Sequence, residues 1–228
     1  PYGYSRSGYS LRKFTDDEWE TSNPNLKNRG QNITDAPCLR LGEVLLNYAE
    51  ICYELEAITG KDLFNQEVLN STINKLRARV NMPNLEEIGG APAINGVVYD
   101  DPARTKWEPA NDVPSMLWEI RRERIIELMG EGFGIYDIRR WRMAPWFLNK
   151  PATGLWMSKE EAMKNNMTLY NPATGYSDGT DGSLTEGNLY LFNDPLKEGK
   201  GWLDKYYLYQ VPTTEILLNP ELEQNPGW

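Results

Sequence analysis

The sequence predicts a mainly α-helical protein in which a helical hairpin packs with further helices and long irregular loops. Apolar residues recur at three- and four-residue spacing in three separate segments, which is the period of an amphipathic helix. Glycine and proline separate these segments. Two further stretches, residues 84–111 and 144–200, are rich in turn-forming residues, and loops of such length are usually functional or disordered.

Residues 1–37 form the first predicted element, an extended arm. The stretch is polar and is interrupted repeatedly by glycine and proline, which disfavours a helix. We expect the arm to pack on a larger body through its apolar side chains. These are Tyr2, Tyr4, Tyr9, Leu11 and Phe14.

Residues 38–83 are predicted to form the helical hairpin. The first helix spans residues 39–57, and Gly60 follows it as a C-cap. The second helix spans residues 66–80, and Pro83 ends it. Two such antiparallel helices are the unit of tetratricopeptide-like solenoids. The predicted apolar stripes contain Leu41, Val44, Leu45, Tyr48, Cys52 and Leu55 in the first helix and Leu69, Ile73, Leu76 and Val80 in the second.

Residues 84–143 combine a loop with two further helices. Pro114 is a favoured first-turn residue, and the helix that follows it runs to about residue 129. Three glycines then precede a shorter helix that reaches Trp141. The predicted buried stripe of the longer helix contains Leu117, Ile120, Ile125 and Leu128.

The longer helix carries carboxylates at i, i+4 and i+8, namely Glu119, Glu123 and Glu127. Paired carboxylates serve glycoside hydrolysis, where one acts as a general acid with a raised pKa. Here arginines at positions 121, 122 and 124 alternate with them, and a neighbouring guanidinium keeps a carboxylate ionised. The pattern therefore favours structural ion pairs along a helix over catalysis.

Composition excludes several classes of protein. Lys and Arg number 24 against 33 Asp and Glu, and this net charge of −9 disfavours binding to nucleic acid or to anionic lipid. No apolar run is long enough to span a membrane. Histidine is absent, so Ser–His and Cys–His nucleophile pairs cannot form. We predict no catalytic residue, no metal ligand and no cofactor.

Two weaker features have structural explanations. Cys38 and Cys52 lie about 21 Å apart if the segment between them is helical, which is too far for a disulfide. Cys52 is expected to be a small core residue. The Asp178-Gly-Thr-Asp181-Gly segment resembles a calcium loop but lacks the remaining ligands, and turn chemistry explains it as well.

Four blocks resemble the SusD/RagB family of outer-membrane nutrient-binding lipoproteins. They are residues 40–50 (RLGEVLLNYAE), 74–80 (NKLRARV), 121–141 (beginning RRERIIEL and ending YDIRRW) and 207–228 (beginning YLYQVP and ending QNPGW). The chain differs from the family pattern at Gly134, Ile135 and Gln210. The residues that carry the signature are Arg121, Arg122, Glu123, Arg124, Glu127, Asp137, Arg140 and Trp141.

The resemblance covers the C-terminal part of the family and implies that an N-terminal half is absent. It assigns residues 1–228 to one RagB/SusD C-terminal domain, in which residues 144–228 form long loops and a C-terminal tail. It implies a surface lipoprotein of a Bacteroidetes-type bacterium that is held at the outer membrane by a lipid anchor in the absent half. It also implies a SusC-like TonB-dependent transporter as partner.

The same resemblance implies non-catalytic binding of oligosaccharides by aromatic residues in loops. The chain has 8 Trp and 13 Tyr, whose rings can cover the apolar face of a sugar. Two alternatives remain open: a domain that docks on the transporter without its own ligand site, and binding of another nutrient such as peptide. The candidate ligand-binding residues are Trp107, Trp146, Trp156, Tyr170 and Tyr176.

Overall fold

The structure, a computed structural model, describes residues 5–9, 11, 13–14, 22, 37–106 and 112–228. It divides into two compact units. The first unit is Lys13–Gly134, and the second unit combines Pro1–Arg12 with Ile135–Trp228. The described residues form helices and small antiparallel sheets, so the mainly helical prediction is confirmed. The tetratricopeptide-like arrangement and the domain boundaries stay predictions.

The first unit contains five described helices and one three-stranded sheet. Gly60 ends the first helix with a left-handed backbone (φ 67°). The side chain of Asn65 caps the second helix by accepting hydrogen bonds from the backbone N–H groups of Glu67 and Val68. The elements are α1 (Leu41–Thr59), α2 (Gln66–Ser71), α3 (Ile73–Arg79), β1 (Glu86–Ile88), β2 (Ala91–Ile94), β3 (Val97–Val98), α4 (Pro102–Thr105) and α5 (Ser115–Glu127).

The second unit contains short helices and two small sheets. One sheet pairs β4 with β7, and the other pairs β5 with β6. The elements are α6 (Gly134–Arg140, which begins at the last residue of the first unit), α7 (Ala144–Leu148), β4 (Thr153–Ser158), α8 (Lys159–Lys164), β5 (Tyr170–Asn171), β6 (Tyr176–Ser177), β7 (Glu186–Tyr190), a 3₁₀ helix (Asp204–Tyr207) and α9 (Thr213–Leu218).

The predicted stripe of the first helix is wrong for most of its members. Leu41, Val44, Tyr48 and Leu55 are exposed, and the buried face contains Cys52 of the predicted stripe together with Leu46, Ala49 and Glu50. Apolar residues surround much of this helix, so its sequence period does not identify which face meets the core. The prediction that Cys52 is a core residue is confirmed, and both cysteines are free.

The second predicted helix is interrupted at Thr72, whose backbone (φ −124°, ψ −96°) separates α2 from α3. Three members of its predicted stripe, Leu69, Ile73 and Leu76, are buried, whereas Val80 is exposed at the end of the helix. The described core of this unit contains Leu46, Ala49, Cys52, Phe64, Val68, Leu69, Ile73, Leu76, Leu85, Met116, Ile120 and Leu128.

The stretches predicted as loops contain the sheets. Residues 86–98 form β1, β2 and β3, and residues 153–190 contain β4 to β7. These strands are two to six residues long, too short for periodicity to reveal with certainty. The predicted arm, residues 1–37, lies mainly outside the described residues. Residues 5–9 of the arm are described and run beside β4, where the carbonyl of Ser7 accepts a hydrogen bond from the N–H of Leu155 (2.7 Å).

Candidate functional site

β4 and β7 pair in an irregular antiparallel register. Thr153 lies opposite Tyr190, but Trp156 lies opposite Asn188, so β4 contains one extra residue between these pairs. A Cβ on Gly154 in this bulge would lie 2.5 Å from the carbonyl oxygen of Ser7. Glycine at this position therefore lets the arm approach, and the bulge sets the direction of the Trp156 side chain.

A third strand extends this arrangement. Leu169 bridges Leu189 in antiparallel orientation, so the next residue, Tyr170, lies opposite Asn188. Directly opposed residues in neighbouring strands point to the same face of a sheet. Trp156, Asn188 and Tyr170 therefore form a row across three strands, with the amide between the two rings.

The opposite face of these strands is apolar and supports the row. Leu169 and Leu189 are buried there together with Ala162 from α8. Met157 packs against the same cluster. Because the strands are anchored on this face, the row faces away from the cluster.

A cavity of about 330 Å³ opens beside the row. The ring of Trp156 is 59% exposed, whereas Tyr170 is only 9% exposed. Trp156 therefore offers an open aromatic face, and Tyr170 contributes to the floor. The cavity is lined by Pro151, Thr153, Trp156, Tyr170, Pro172, Leu184, Glu186, Gly187 and Asn188.

The polar groups of the cavity are held in place by their neighbours. The side-chain amide of Asn188 donates a hydrogen bond to the carbonyl of Gly154 (2.8 Å), which ties it to the bulge. A phenol keeps its proton near neutral pH and can donate a hydrogen bond, and burial, together with the nearby Asp194 carboxylate, raises the pKa of the Tyr170 hydroxyl further. An aromatic face beside amide, hydroxyl and carboxylate groups matches the surface of a sugar ring.

The structure brings two of the five candidates together and separates the others. Trp156 and Tyr170 line the cavity. Tyr176 lies opposite Asn171 in the next rung of the hairpin and therefore faces the other side of the sheet from Tyr170. Trp146 lies on α7, where the ammonium of Lys150 sits 2.9 Å from its ring centroid. Trp107 lies outside the described residues.

Sequence reasoning did not identify the polar partners of these rings. Glu186 and Asn188 alternate with the buried Gly187 and Leu189 along β7. This alternation is the signal of a half-buried strand and could have indicated β7. No sequence pattern predicts that Trp156, Asn188 and Tyr170 form a row, because the row depends on the register of β7 with the strands on either side of it.

A second aromatic cluster lies near the C-terminus and was also missed. Trp202 contacts Tyr206 and Tyr207 edge-on, at centroid distances of 5.6 and 5.1 Å. The indole N–H of Trp228 donates to the carbonyl of Lys205 (3.1 Å), whose ammonium lies over the Trp228 ring. The rings pack on one another and on cations, so the cluster fastens the tail within its own unit.

The signature residues of α5 form buried ion pairs in the first unit. Arg77 of α3 is 2% exposed and donates to Glu123 (2.6 Å) and Glu119 (3.3 Å). It also donates to the carbonyl of Pro83 (3.0 Å). Arg122 donates to Glu119 (2.9 Å). These contacts join α3, α5 and the loop before β1.

The remaining signature residues have similar contacts. Arg124 donates to the side chain of Asn47 on α1 (2.6 Å), and Arg121 lies 3.3 Å from Glu54. In the second unit, Arg140 donates to the buried Asp137 (2.9 Å) and lies over the ring of the buried Trp141.

Two carboxylates of α5 differ in the direction in which their pKa is shifted. Burial raises the pKa of Glu127, but hydrogen bonds from Arg40 and Arg79 outweigh burial, and the net pKa is lowered. For Glu123, burial raises the pKa and the attraction of Arg77 offsets this only in part. At Glu123, burial therefore outweighs the effect of the neighbouring arginines, and the net pKa is raised.

The segment compared with a calcium loop is held by its own hydrogen bonds. One carboxylate oxygen of Asp178 accepts from the side chain of Asn171 (2.7 Å), and the other accepts from the N–H of Leu184 (2.9 Å). Among the described residues, no group of three potential ligands is placed to hold a metal ion.

Comparison with models of protein families identifies the family of this chain. The SusD family matches residues 1–228. The chain belongs to the SusD family. A solved structure that it resembles is a SusD-like protein from Bacteroides fragilis NCTC 9343, with 24% identity and a TM-score of 0.47. The match covers 83% of this chain and 25% of that one, so the chain spans about a quarter of that protein's length.

Comparison with curated proteins gave no match. In the described ranges, no helix combines the length and the apolar character needed to cross a membrane.

Proposed function

We propose that this SusD family chain binds oligosaccharides without catalysis, at the cavity beside Trp156, and thereby contributes to nutrient capture at the bacterial cell surface. Family membership supports the general role. The observation that carries the site is the row of Trp156, Asn188 and Tyr170 beside the cavity.

The chemistry of the row fits a sugar. A pyranose has an apolar C–H face, which can stack on the exposed indole of Trp156, and hydroxyl groups around its edge. Asn188 and Glu186 lie where they can bond such hydroxyls. Burying one large apolar side chain contributes about 1.5–3 kcal/mol, so one stacking ring gives weak binding. Weak and reversible capture suits the transfer of a ligand to a transporter.

Binding is favoured over hydrolysis by the lining of the cavity. Glycosidases place two carboxyl groups on either side of the scissile bond. The described lining of this cavity contains one carboxylate, Glu186. The carboxylates of α5 belong to the other unit, where Arg77 and Arg122 engage them.

The proposal extends to the cellular context. We propose that the protein is a lipid-anchored component of the outer-membrane surface and delivers its ligand to a SusC-like TonB-dependent transporter. Peptide or another nutrient remains an alternative ligand.

A docking role is the second candidate, and a separate observation favours it. One face of α1 exposes apolar side chains at three- and four-residue spacing, the pattern of a helix that packs on another helix. A surface of this kind suits contact with a protein. Its residues are Leu41, Val44, Tyr48, Ile51, Leu55 and Ile58.

Calorimetric titration with a panel of short oligosaccharides tests the proposal. Trp156→Ala is expected to weaken binding about tenfold or more, because the stacking surface is removed. Tyr176→Ala is the matched control, since Tyr176 is 42% exposed on the other face of the sheet, and it should bind like the unaltered protein.

Undiminished binding by Trp156→Ala would contradict the proposed site. If the panel does not bind at all, while the chain is retained by a SusC-like transporter in a pull-down, the docking role is supported instead.

A further inference from the structure

Glu186 stands out among the residues that line the cavity. It begins β7 opposite Ser158 and shares a face with Asn188, two residues later. It is exposed, and it is the single acidic side chain in the described lining, which contains no Lys or Arg. The other polar side chains there are the hydroxyls of Thr153 and Tyr170 and the amide of Asn188.

Three lysines lie near the cavity in sequence or space, and each has another partner. The ammonium of Lys159 donates to the carbonyl of Gly182 (2.5 Å). That of Lys197 donates to the carbonyls of Ala173 (2.6 Å) and Pro172 (3.2 Å), at the rim of the cavity. That of Lys150 lies over the ring of Trp146.

Acidic groups nearby add to the charge of Glu186 and do not offset it. Asp194 is close enough to Tyr170 to raise the pKa of its hydroxyl, and Asp178 lies in the turn after β6. Within the described residues, the ion pairs do not include Glu186. Among the described residues, the lining of the cavity therefore carries one negative charge that is not part of an ion pair, and the ammonium of Lys197 is held at the rim by the carbonyls of Pro172 and Ala173.

We infer that the cavity selects uncharged oligosaccharides and discriminates against those that carry carboxylates or sulfates. This inference rests on the proposed binding of oligosaccharides at the cavity. A carboxylate accepts strong hydrogen bonds from sugar hydroxyls. It repels an anionic sugar, which would need an Arg or Lys to bind its charge. Glu186 thus acts as a specificity-determining residue beside the stacking ring of Trp156.

The test compares a matched pair of ligands. One is the uncharged oligosaccharide that binds best in the panel, and the other is the same oligosaccharide with its primary hydroxyls oxidised to carboxylates. Calorimetry at low salt should show that the oxidised ligand binds about fivefold or more weakly, as expected for one repulsion between unit charges in water-like surroundings.

Variants of Glu186 test whether this side chain causes the difference in affinity between the two ligands. Glu186→Gln keeps the size and removes the charge, so the ratio between the two ligands should fall toward one. Glu186→Lys should reverse the preference. Glu160→Gln is the control, because Glu160 is exposed on α8 and does not line the cavity, and its ratio should equal that of the unaltered protein. Thermal melting of each variant establishes that it is folded.

The outcomes separate the inference from the proposed function. Suppose that the uncharged ligand binds through Trp156. If the unaltered protein then binds both ligands with equal affinity, or if Glu186→Gln leaves the ratio of the two affinities unchanged, selection by charge is wrong. The proposed binding of oligosaccharides is unaffected by either result. If no oligosaccharide binds, or Trp156→Ala has no effect, the proposed function fails first. A ratio that falls in Glu186→Gln and inverts in Glu186→Lys supports the inference.

Discussion

The charged cluster of the first unit and the cavity of the second unit use polar residues in opposite ways. Around Arg77, carboxylates and guanidinium groups are buried and bonded to each other. Beside Trp156, an amide and a carboxylate border an open aromatic ring. The most recognisable residues of the sequence therefore stabilise the scaffold, whereas the groups available to a ligand lie in a stretch with little sequence pattern.

This difference has a physical cause. A buried charge is tolerated only when its hydrogen-bonding capacity is met by neighbours, so such a cluster restricts several residues at once. A binding face needs the reverse, namely groups whose bonding capacity is open to a ligand. The effects of substitution should differ accordingly between the two regions.

Arg77→Ala should have the largest effect. It leaves Glu119 and Glu123 without their shared cation, and breaking a buried ion pair in this way costs about 3–5 kcal/mol. Denaturant unfolding followed by helical circular dichroism measures the loss. Arg79→Ala is the control, because Arg79 is 56% exposed and its pair with Glu127 should contribute less than about 1 kcal/mol. Equal losses in the two variants would contradict the difference between buried and exposed pairs.

Asn74→Ala should rank second. The Asn74 amide accepts a hydrogen bond from the N–H of Leu85 (2.7 Å) and donates to its carbonyl (2.9 Å), all within the core. Its removal leaves the buried N–H of Leu85 unpaired, whereas the carbonyl keeps its hydrogen bond from the side chain of Gln66 (3.0 Å), so the free energy of unfolding should fall by about 1–3 kcal/mol. Lys75→Ala, the exposed neighbour, should change that free energy by less than about 0.5 kcal/mol. A loss no greater than that of the control would show that water replaces the amide.

The stability of the first unit should fall at acid pH. Hydrogen bonds from Arg40 lower the pKa of Glu131, and those from Arg40 and Arg79 outweigh burial to lower that of Glu127. A lowered pKa contributes stability above the unfolded value of about 4.3, and this stability is lost as the pH falls through the folded value. The raised pKa of Glu123 acts in the opposite sense, since protonation relieves its burial.

Melting temperatures measured from neutral pH to below the unfolded carboxyl pKa test this loss of stability. Glu131→Gln should melt below the unaltered protein near neutral pH, and the difference should vanish once Glu131 is protonated. A difference that stays constant with pH would show that the charge of Glu131 does not stabilise the fold.

Trp156→Ala should have the smallest effect on stability, less than about 1 kcal/mol, because the side chain is largely exposed. Trp141→Ala is the comparison, since Trp141 is 7% exposed and its loss should cost about 3–5 kcal/mol. The same unfolding assay measures both. If Trp156→Ala loses as much free energy of unfolding as Trp141→Ala, the Trp156 ring stabilises the fold by packing, which argues against a role in ligand binding.

Sequence patterns predicted the scaffold well and the site only in part. The predicted first and third helices lie close to the observed α1 and α5, since each spans several turns, whereas the predicted second helix covers two short helices, α2 and α3. The pattern does not identify the buried face of α1, because Leu45, Leu46, Cys52 and Tyr53 make the helix apolar on more than one side. Residue type alone predicts Trp156 and Tyr170 as candidates, but it predicts Trp146 and Tyr176 equally, and the cavity does not include these two.

The sequence by itself determined the family, the main helices and the absence of histidine chemistry. Such features depend on residues within a few turns of one another, or on a signature spread along the chain. Only the tertiary structure decided that Trp156, Asn188 and Tyr170 share one face. That row depends on a one-residue bulge in β4 and on the register of β7 with strands far away in sequence, and a shift of one residue would turn its side chains to the other face.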